Sequence, residues 1–181
     1  SLSKSAFCKR LIHYKELAPC CIVYWGDGKG KTTAAMGLAL RALGHGRRVV
    51  VLQIFKGRHQ RGDRSAAPLR CRVHACPNAK FTWLMTEPAH GARQHNTAAL
   101  RAALDTPFDL LVLDEAARLS AQLVDEALLR QAAAMAKQGR EVVLTGRDPA
   151  VDAGAADYST ELRAVRHPYT QGIPAREGIE Y

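Results

Sequence analysis

The sequence lacks any hydrophobic run long enough to cross a bilayer. Apolar residues make up 47% of the 181-residue chain, but runs such as residues 20–25 and 110–113 fall far short of the roughly 20 residues that a spanning helix needs. It also lacks a positively charged start followed by an apolar segment, so no secretion signal is predicted. These absences predict a cytoplasmic protein with no membrane partner.

The cysteines lack a paired framework, because there are five of them. An odd number without regular spacing favours a reducing compartment. The nearest approach to a metal-binding cluster is Cys71, His74 and Cys76. If residues 69–75 form a strand, Cys71 faces the side opposite to the other two, so the three do not converge and a zinc site is not predicted.

The charge is strongly unbalanced, with a formal net charge of +9. Such a chain attracts polyanions, which include nucleic acids, phosphate-rich small ligands and acidic protein partners. The arginines are densest between Arg58 and Arg72, where a solvated loop is slightly favoured over a binding stripe. These basic residues are not interleaved with aromatics, as they would be in a groove for single-stranded nucleic acid.

Predicted strands and helices alternate along the chain. The strands are continuous apolar runs, which is typical of a parallel sheet buried on both faces. An α/β fold is therefore predicted, with an N-terminal arm at residues 1–19 and a single domain at residues 20–181. The predicted strands are residues 20–25, 49–55, 69–75, 108–113, 141–145 and 162–166. The predicted helices are residues 31–43, 88–104, 120–138 (capped by Ser120 and ended by Gly139) and 150–158. Residues 77–83 and 168–181 are predicted to be irregular.

A glycine-rich loop joins the first predicted strand to the first helix. Its glycines allow successive backbone N–H groups to point at phosphate oxygens, and the helix that follows adds its positive N-terminal end. Lys31 supplies a mobile cation, and Thr32 offers a hydroxyl to Mg²⁺. The usual spacing would place the first glycine at Trp25, so this loop starts one residue late. The loop residues predicted to bind a nucleotide are Gly26, Asp27, Gly28, Lys29, Gly30, Lys31, Thr32 and Thr33.

Asp114 and Glu115 end the apolar run at residues 108–113. In a phosphate-loop fold, an acid at the end of such a strand lies beside the loop and holds Mg²⁺ directly or through water. The alternative is a strand-end pair that caps the next helix. With the phosphate loop in place, the metal role is favoured for at least one of the two.

Taken together, these motifs resemble those of the P-loop ATP:cob(I)alamin (corrinoid) adenosyltransferases. The resemblance implies a RecA-like P-loop fold. The resemblance rests on the late-starting loop and on motifs that run in the same order over nearly the whole chain from Cys20. They are Arg41-Ala-Leu-Gly-His-Gly, residues 53–57, Phe81-Thr-Trp83, Leu113-Asp-Glu115, Thr145-Gly-Arg147, Ala156-Asp157, Ser159-Thr-Glu-Leu162, Val165-Arg-His167 and Gly178-Ile-Glu-Tyr181.

The resemblance implies that cobalt(I) of a reduced corrinoid attacks the 5′ carbon of ATP and that triphosphate leaves. It implies catalytic roles for Lys31, Phe81 and Trp83, with the two aromatic rings closing the lower face of the corrin. It also implies that Arg41 and Glu115 contact the nucleotide, and that Thr32, Asp114 and Glu115 hold Mg²⁺, with Mn²⁺ as a substitute. A homodimer and a flavodoxin-like reductant are further expectations.

Two residues depart from the resemblance. Asp27 replaces a common asparagine and adds negative charge beside the triphosphate, and Trp25 replaces a threonine and is expected to narrow the nucleotide pocket or to stack on a base. The alternative function is a RecA-like ATPase that binds nucleic acid, which the fold and the net charge of +9 also support. Which corrinoid is used, and in which pathway, does not follow from the sequence.

Overall fold

The structure is a computed structural model that describes residues 19–54, 80–86, 92–116, 123–148, 156–174 and 176. Within these ranges, strands alternate with α-helices. The strands are β1 (Cys21–Trp25), β2 (Arg48–Gln53), β3 (Lys80–Met85), β4 (Leu110–Asp114), β5 (Glu141–Thr145) and β6 (Tyr158–Glu161). The helices are α1 (Lys31–Gly44), α2 (Ala92–Asp105) and α3 (Glu126–Ala134), with 3₁₀ turns at Met135–Gln138 and Pro168–Gln171.

The six strands form one sheet in the order β3-β2-β4-β5-β1-β6. Every neighbouring pair is parallel, so the carboxyl ends of all six strands meet at one edge. The predicted α/β class and the parallel sheet are confirmed, and the architecture is consistent with a RecA-like P-loop fold. No helix within the described ranges is long and apolar enough to cross a membrane.

Each face of the sheet carries its own hydrophobic core. In β2, Val49 and Val51 pack on the face covered by α1, whereas Val50 and Leu52 pack on the face covered by α2 and α3. Because successive side chains of a strand point to opposite faces, a strand covered on both faces must be apolar at every position. This explains the continuous apolar runs in the sequence.

The helix after the phosphate loop is confirmed within one residue. Ala35, Met36, Ala39 and Leu43 are its buried residues and follow helical spacing. The helix begins directly after Gly30, which has a φ of 114° and provides no side-chain cap. The first N–H groups of α1 therefore remain available to a ligand at its N-terminus.

Residues 80–83 were predicted to be irregular, and that prediction is wrong. They belong to β3, which pairs residue for residue with β2 from Arg48↔Lys80 to Gln53↔Met85. The segment is mostly apolar, at Phe81, Trp83, Leu84 and Met85, so a strand signal was present, and pairing with β2 completes it. The strand predicted at residues 69–75 lies outside the described residues.

Three other boundaries differ from prediction. The last strand is Tyr158–Glu161 rather than residues 162–166, because this edge strand is exposed at all four positions and has no apolar pattern to mark it. The short helix predicted at residues 150–158 lies largely outside the described residues, and its final residue, Tyr158, begins β6. The third helix starts at Glu126, where the Asp125 carboxylate accepts from Ala127 N at 2.9 Å. Ser120, the predicted cap, lies outside the described residues.

The backbone that follows β6 packs directly on the phosphate loop. Gly28 N donates to Leu162 O at 2.7 Å, and Leu162 N donates to Trp25 O at 2.7 Å. A Cβ at Gly26 would lie 2.4 Å from Leu162 O, and one at Gly28 would lie 2.7 Å from the same atom. These two glycines are therefore required by the close approach of another part of the chain, in addition to any requirement set by a ligand.

A side chain at Gly28 should destabilise the fold. Gly28→Ala is expected to lower the free energy of unfolding by about 1–3 kcal/mol, since the new methyl group meets the backbone of Leu162 and Arg163. Gly37→Ala is the matched control, because nothing lies within 4 Å of a Cβ there. This exposed helical site should gain about 0.5–1 kcal/mol. Denaturant unfolding measures both changes, and equal stability of the two variants would contradict the close approach.

At the amino ends of the strands, opposite to the phosphate loop, an ion pair joins the starts of β2 and β4. The Arg48 guanidinium donates to both Asp109 oxygens, at 2.7 and 3.1 Å, and Arg48 N donates to Asp109 Oδ2 at 2.7 Å. The side-chain hydrogen bond from Arg48 holds the pKa of Asp109 below its ordinary value, with further lowering by the backbone bond and by the nearby positive charge.

Asp109→Asn should therefore lower stability at pH 7. A depressed aspartate pKa stabilises the fold above the unfolded value of 3.8, and this stabilisation is lost as the pH falls through the folded value. The difference between wild type and variant should shrink in unfolding curves below about pH 4. Asp105→Asn, at the exposed end of α2, is the matched control for an aspartate-to-asparagine change. A constant difference across the acid range would refute the assignment.

Candidate active site

The phosphate loop opens into a cleft at the carboxyl edge of the sheet. Gly26 and Gly30 adopt φ values of 111° and 114°, which favour glycine, and they turn the chain from β1 into α1. The cleft has a volume of about 380 Å³. It is lined by Asp27, Gly28, Lys29, Gly30, Lys31, Thr32, Thr33, Glu115, Arg147 and His167.

The Lys31 side chain folds back onto the phosphate loop and binds two of its carbonyl oxygens. Its ammonium group donates to Gly26 O at 2.7 Å and to Gly28 O at 2.6 Å. Burial lowers the pKa of Lys31, and the nearby Arg147 acts in the same direction. Glu115 is the largest opposing influence. A lysine held at the loop in this way can exchange its carbonyl partners for phosphate oxygens without a large movement of the backbone.

Asp114 is fully buried at the end of β4 and is surrounded by donors. Its Oδ1 accepts from Thr32 Oγ1 at 2.9 Å and from Thr145 Oγ1 at 2.6 Å, while its Oδ2 accepts from Gln53 Nε2 at 3.0 Å. A buried carboxylate needs such partners, because desolvation of an unpaired charge is costly. The structure thus brings together Thr32 and Asp114, two of the three predicted metal ligands.

Glu115 has an unusual backbone conformation for its residue type. Its φ is 62°, a region that costs a non-glycine residue on the order of 1 kcal/mol or more and is found disproportionately at functional sites. The conformation is anchored by Glu115 N, which donates to Thr145 Oγ1 at 3.0 Å. The turn carries Glu115 to the wall of the cleft.

The oxygen donors of Thr32, Asp114 and Glu115 suit Mg²⁺, which prefers a few protein oxygens and completes its shell with water and phosphate. No cluster of three or more histidine, cysteine or acidic residues that could hold a metal ion occurs among the residues that the structure describes. The Cys71, His74 and Cys76 cluster lies outside those residues.

The Asp27 side chain contacts the segment that follows β6. Its Oδ1 accepts from Ala164 N at 3.1 Å, so the negative charge that was expected to face the triphosphate has a backbone partner. Trp25 is not among the cleft-lining residues. Its Nε1 donates to Ser159 Oγ at 3.0 Å, and its ring packs against the core beneath α2 and α3.

Three predicted residues lie away from the cleft. Arg41 is in the last turn of α1, ten residues after Lys31 and therefore about 15 Å along the helix axis. Phe81 and Trp83 lie on the edge strand β3, half-buried against the core beneath α1. Trp83 Nε1 donates to Gln53 Oε1 at 3.0 Å.

Four residues that the structure places in or beside the site had no individual role predicted for them. Arg147 and His167 line the cleft, and Thr145 and Gln53 hold Asp114. Gln53 and Thr145 end buried strands, and Arg147 comes two residues after β5. A polar residue at the carboxyl end of a predicted parallel strand was the signal that could have identified them.

Comparison with known proteins identifies the family. The family profile described as ATP:corrinoid adenosyltransferase BtuR/CobO/CobP matches residues 18–181. The corrinoid adenosyltransferase CobA of Salmonella typhimurium is 35% identical over 184 residues, covering 95% of this chain and 90% of that protein. The corrinoid adenosyltransferase of Escherichia coli K12 is 35% identical over 171 residues, covering 88% and 84%. That of Pseudomonas aeruginosa is 34% identical over 176 residues, covering 88% and 82%.

A profile match over nearly the entire chain and relatives at this level of identity show the family, and with it a transferase. This chain belongs to the ATP:corrinoid adenosyltransferase family.

Proposed function

We propose that this enzyme transfers the 5′-deoxyadenosyl group of ATP to the cobalt(I) of a reduced corrinoid and releases triphosphate. The observation that carries the proposal is the cleft of about 380 Å³, which gathers Lys29, Lys31, Arg147 and the open N-terminus of α1 around one space. This concentration of positive charge matches a leaving group that gains negative charge as the bond to carbon breaks.

The chain's own groups would act on the triphosphate rather than on the carbon. Lys31, freed from Gly26 O and Gly28 O, would neutralise developing charge, and Arg147 and the N–H groups of α1 would add fixed donors. Mg²⁺, with Mn²⁺ as a substitute, supplies further charge neutralisation when bound, and the oxygens of Thr32, Asp114 and Glu115 would hold it. The ribose end of ATP would then face away from the loop, toward the corrinoid.

Phe81 and Trp83 are proposed to form the lower wall of the corrinoid site. Cobalt(I) does not favour axial ligands, so an apolar wall that removes the lower ligand makes reduction from cobalt(II) easier. Their position on an edge strand leaves both rings half-buried, which is compatible with a ring that packs on the core and also meets a ligand. A flavodoxin-like reductant and a homodimer belong to the same proposal.

Loss of the loop lysine, Lys31, should strongly slow the transfer of the adenosyl group. Lys31→Ala is expected to lower the adenosylation rate about 100-fold or more, as for other groups that stabilise charge in a transition state. The assay combines purified protein, ATP, Mg²⁺ and chemically reduced cobalamin without oxygen, and follows the light-sensitive alkylcobalamin spectrum and triphosphate release. Lys137→Ala, at an exposed lysine, is the control. Release of ADP and phosphate, stimulated by DNA, would instead support the nucleic-acid ATPase.

Removal of the Phe81 or the Trp83 ring should slow the reduction of cobalt(II) much more than the transfer of the adenosyl group to cobalt(I). Phe81→Ala and Trp83→Ala should slow adenosylation strongly when cobalt(II)alamin and a reductase are supplied, and much less when cobalt(I)alamin is supplied directly. ATP affinity, measured by calorimetry, should change little. If the variants lose only thermal stability, and both cobalt substrates react at the wild-type rate per folded molecule, the rings serve the core alone.

A further inference from the structure

A line of hydrogen bonds crosses the sheet from the phosphate loop to the edge strand. Thr32 Oγ1 donates to Asp114 Oδ1 at 2.9 Å, and the other oxygen of Asp114 accepts from Gln53 Nε2 at 3.0 Å. Gln53 Oε1 then accepts from Trp83 Nε1 at 3.0 Å. Two side chains, Asp114 and Gln53, therefore join the nucleotide loop to the indole of Trp83.

The orientation of the Gln53 amide is fixed by the chemistry of its partners. A carboxylate can only accept and an indole N–H can only donate, so the amide nitrogen must face Asp114 and the amide oxygen must face Trp83. Gln53 is fully buried, so its hydrogen bonds are not readily exchanged for bonds to water. Because the amide group is planar, a rotation that changes its bond to Asp114 also changes its bond to Trp83.

The same line begins at residues that a bound nucleotide would engage. Thr32 lines the cleft, and its hydroxyl is the group expected to turn toward the phosphates or the cation. If the Thr32 proton turns to a phosphate oxygen, Asp114 Oδ1 keeps Thr145 but loses Thr32 as a donor. The balance of bonds at the carboxylate then changes, and we expect its bond to Gln53 to adjust.

We propose that Gln53 is a positioning residue that transmits nucleotide binding from Asp114 to the indole of Trp83. In this arrangement the free protein holds Trp83 against the sheet through Gln53, and a nucleotide at the loop changes the orientation of the indole. The inference rests on the proposed function only in requiring that ATP binds at the phosphate loop.

The test follows the indole N–H of Trp83 by NMR in ¹⁵N-labelled protein during titration with ATP and Mg²⁺, with no corrinoid present. The chain has two tryptophans, and Trp25→Phe assigns the Trp83 resonance by elimination. The expected result is a shift of the Trp83 indole resonance and of the Gln53 side-chain amide pair, saturating at the ATP concentration at which calorimetry shows the site to be full.

Gln53→Met keeps the side-chain length but removes both hydrogen bonds. Its affinity for ATP is measured by calorimetry, and at ATP concentrations that saturate the variant its Trp83 resonance should no longer respond. Asp109→Asn breaks a hydrogen-bonded pair at the other end of β2 and should retain the full response. If Gln53→Met fails to fold, the joint movement of the Gln53 and Trp83 resonances in the wild-type protein decides the question.

Three outcomes would overturn the inference. The first is ATP binding by calorimetry with an unmoved Trp83 resonance, which leaves the proposed function intact. The second is a folded Gln53→Met variant with an undiminished Trp83 response. The third is an absence of ATP binding to the wild-type protein, which removes the proposed function together with the inference.

Discussion

The site is organised around one buried negative charge. Asp114 is completely enclosed at the end of β4, and it receives hydrogen bonds from three different elements: Thr32 of α1, Gln53 of β2 and Thr145 of β5. A buried carboxylate with fewer partners would be costly, so these elements must be in register before the charge can be accommodated. Thr145 extends the arrangement by anchoring the strained turn at Glu115.

The polar groups of the site continue the same columns that form the core beneath α1. In β2 the column runs from Val49 through Val51 to Gln53, and in β4 it runs from Leu110 through Val112 to Asp114. The change from apolar to polar occurs at the edge where the sheet meets the phosphate loop. Core packing therefore sets the positions of the functional groups, and a shift of strand register by one residue would turn them to the opposite face.

The sequence predicted most of this central region and less of its borders. The buried strands β1, β2, β4 and β5 have continuous apolar runs, so their positions could be predicted within about two residues. β6 could not be recognised in this way, because it is exposed at every position and has no apolar run. β3 does have such a run at residues 81–85, but its first residues fall within a segment predicted to be irregular, and it lies at the edge of the sheet. Likewise, Thr32 and Asp114 were expected to meet, whereas the links through Gln53 and Thr145 depend on strand order, which the sequence does not specify.

The close packing of residues 162–163 on the loop affects how this loop should be compared between proteins. Gly26 and Gly28 are usually interpreted as nucleotide-binding positions, but here a Cβ at either one would strike the backbone of the tail. In a chain that ended before Leu162, Gly28 would lose that steric constraint, whereas Gly26, like Gly30, would still favour glycine because of its positive φ. The glycine pattern of the loop thus also records the path of a segment more than 130 positions farther along the chain.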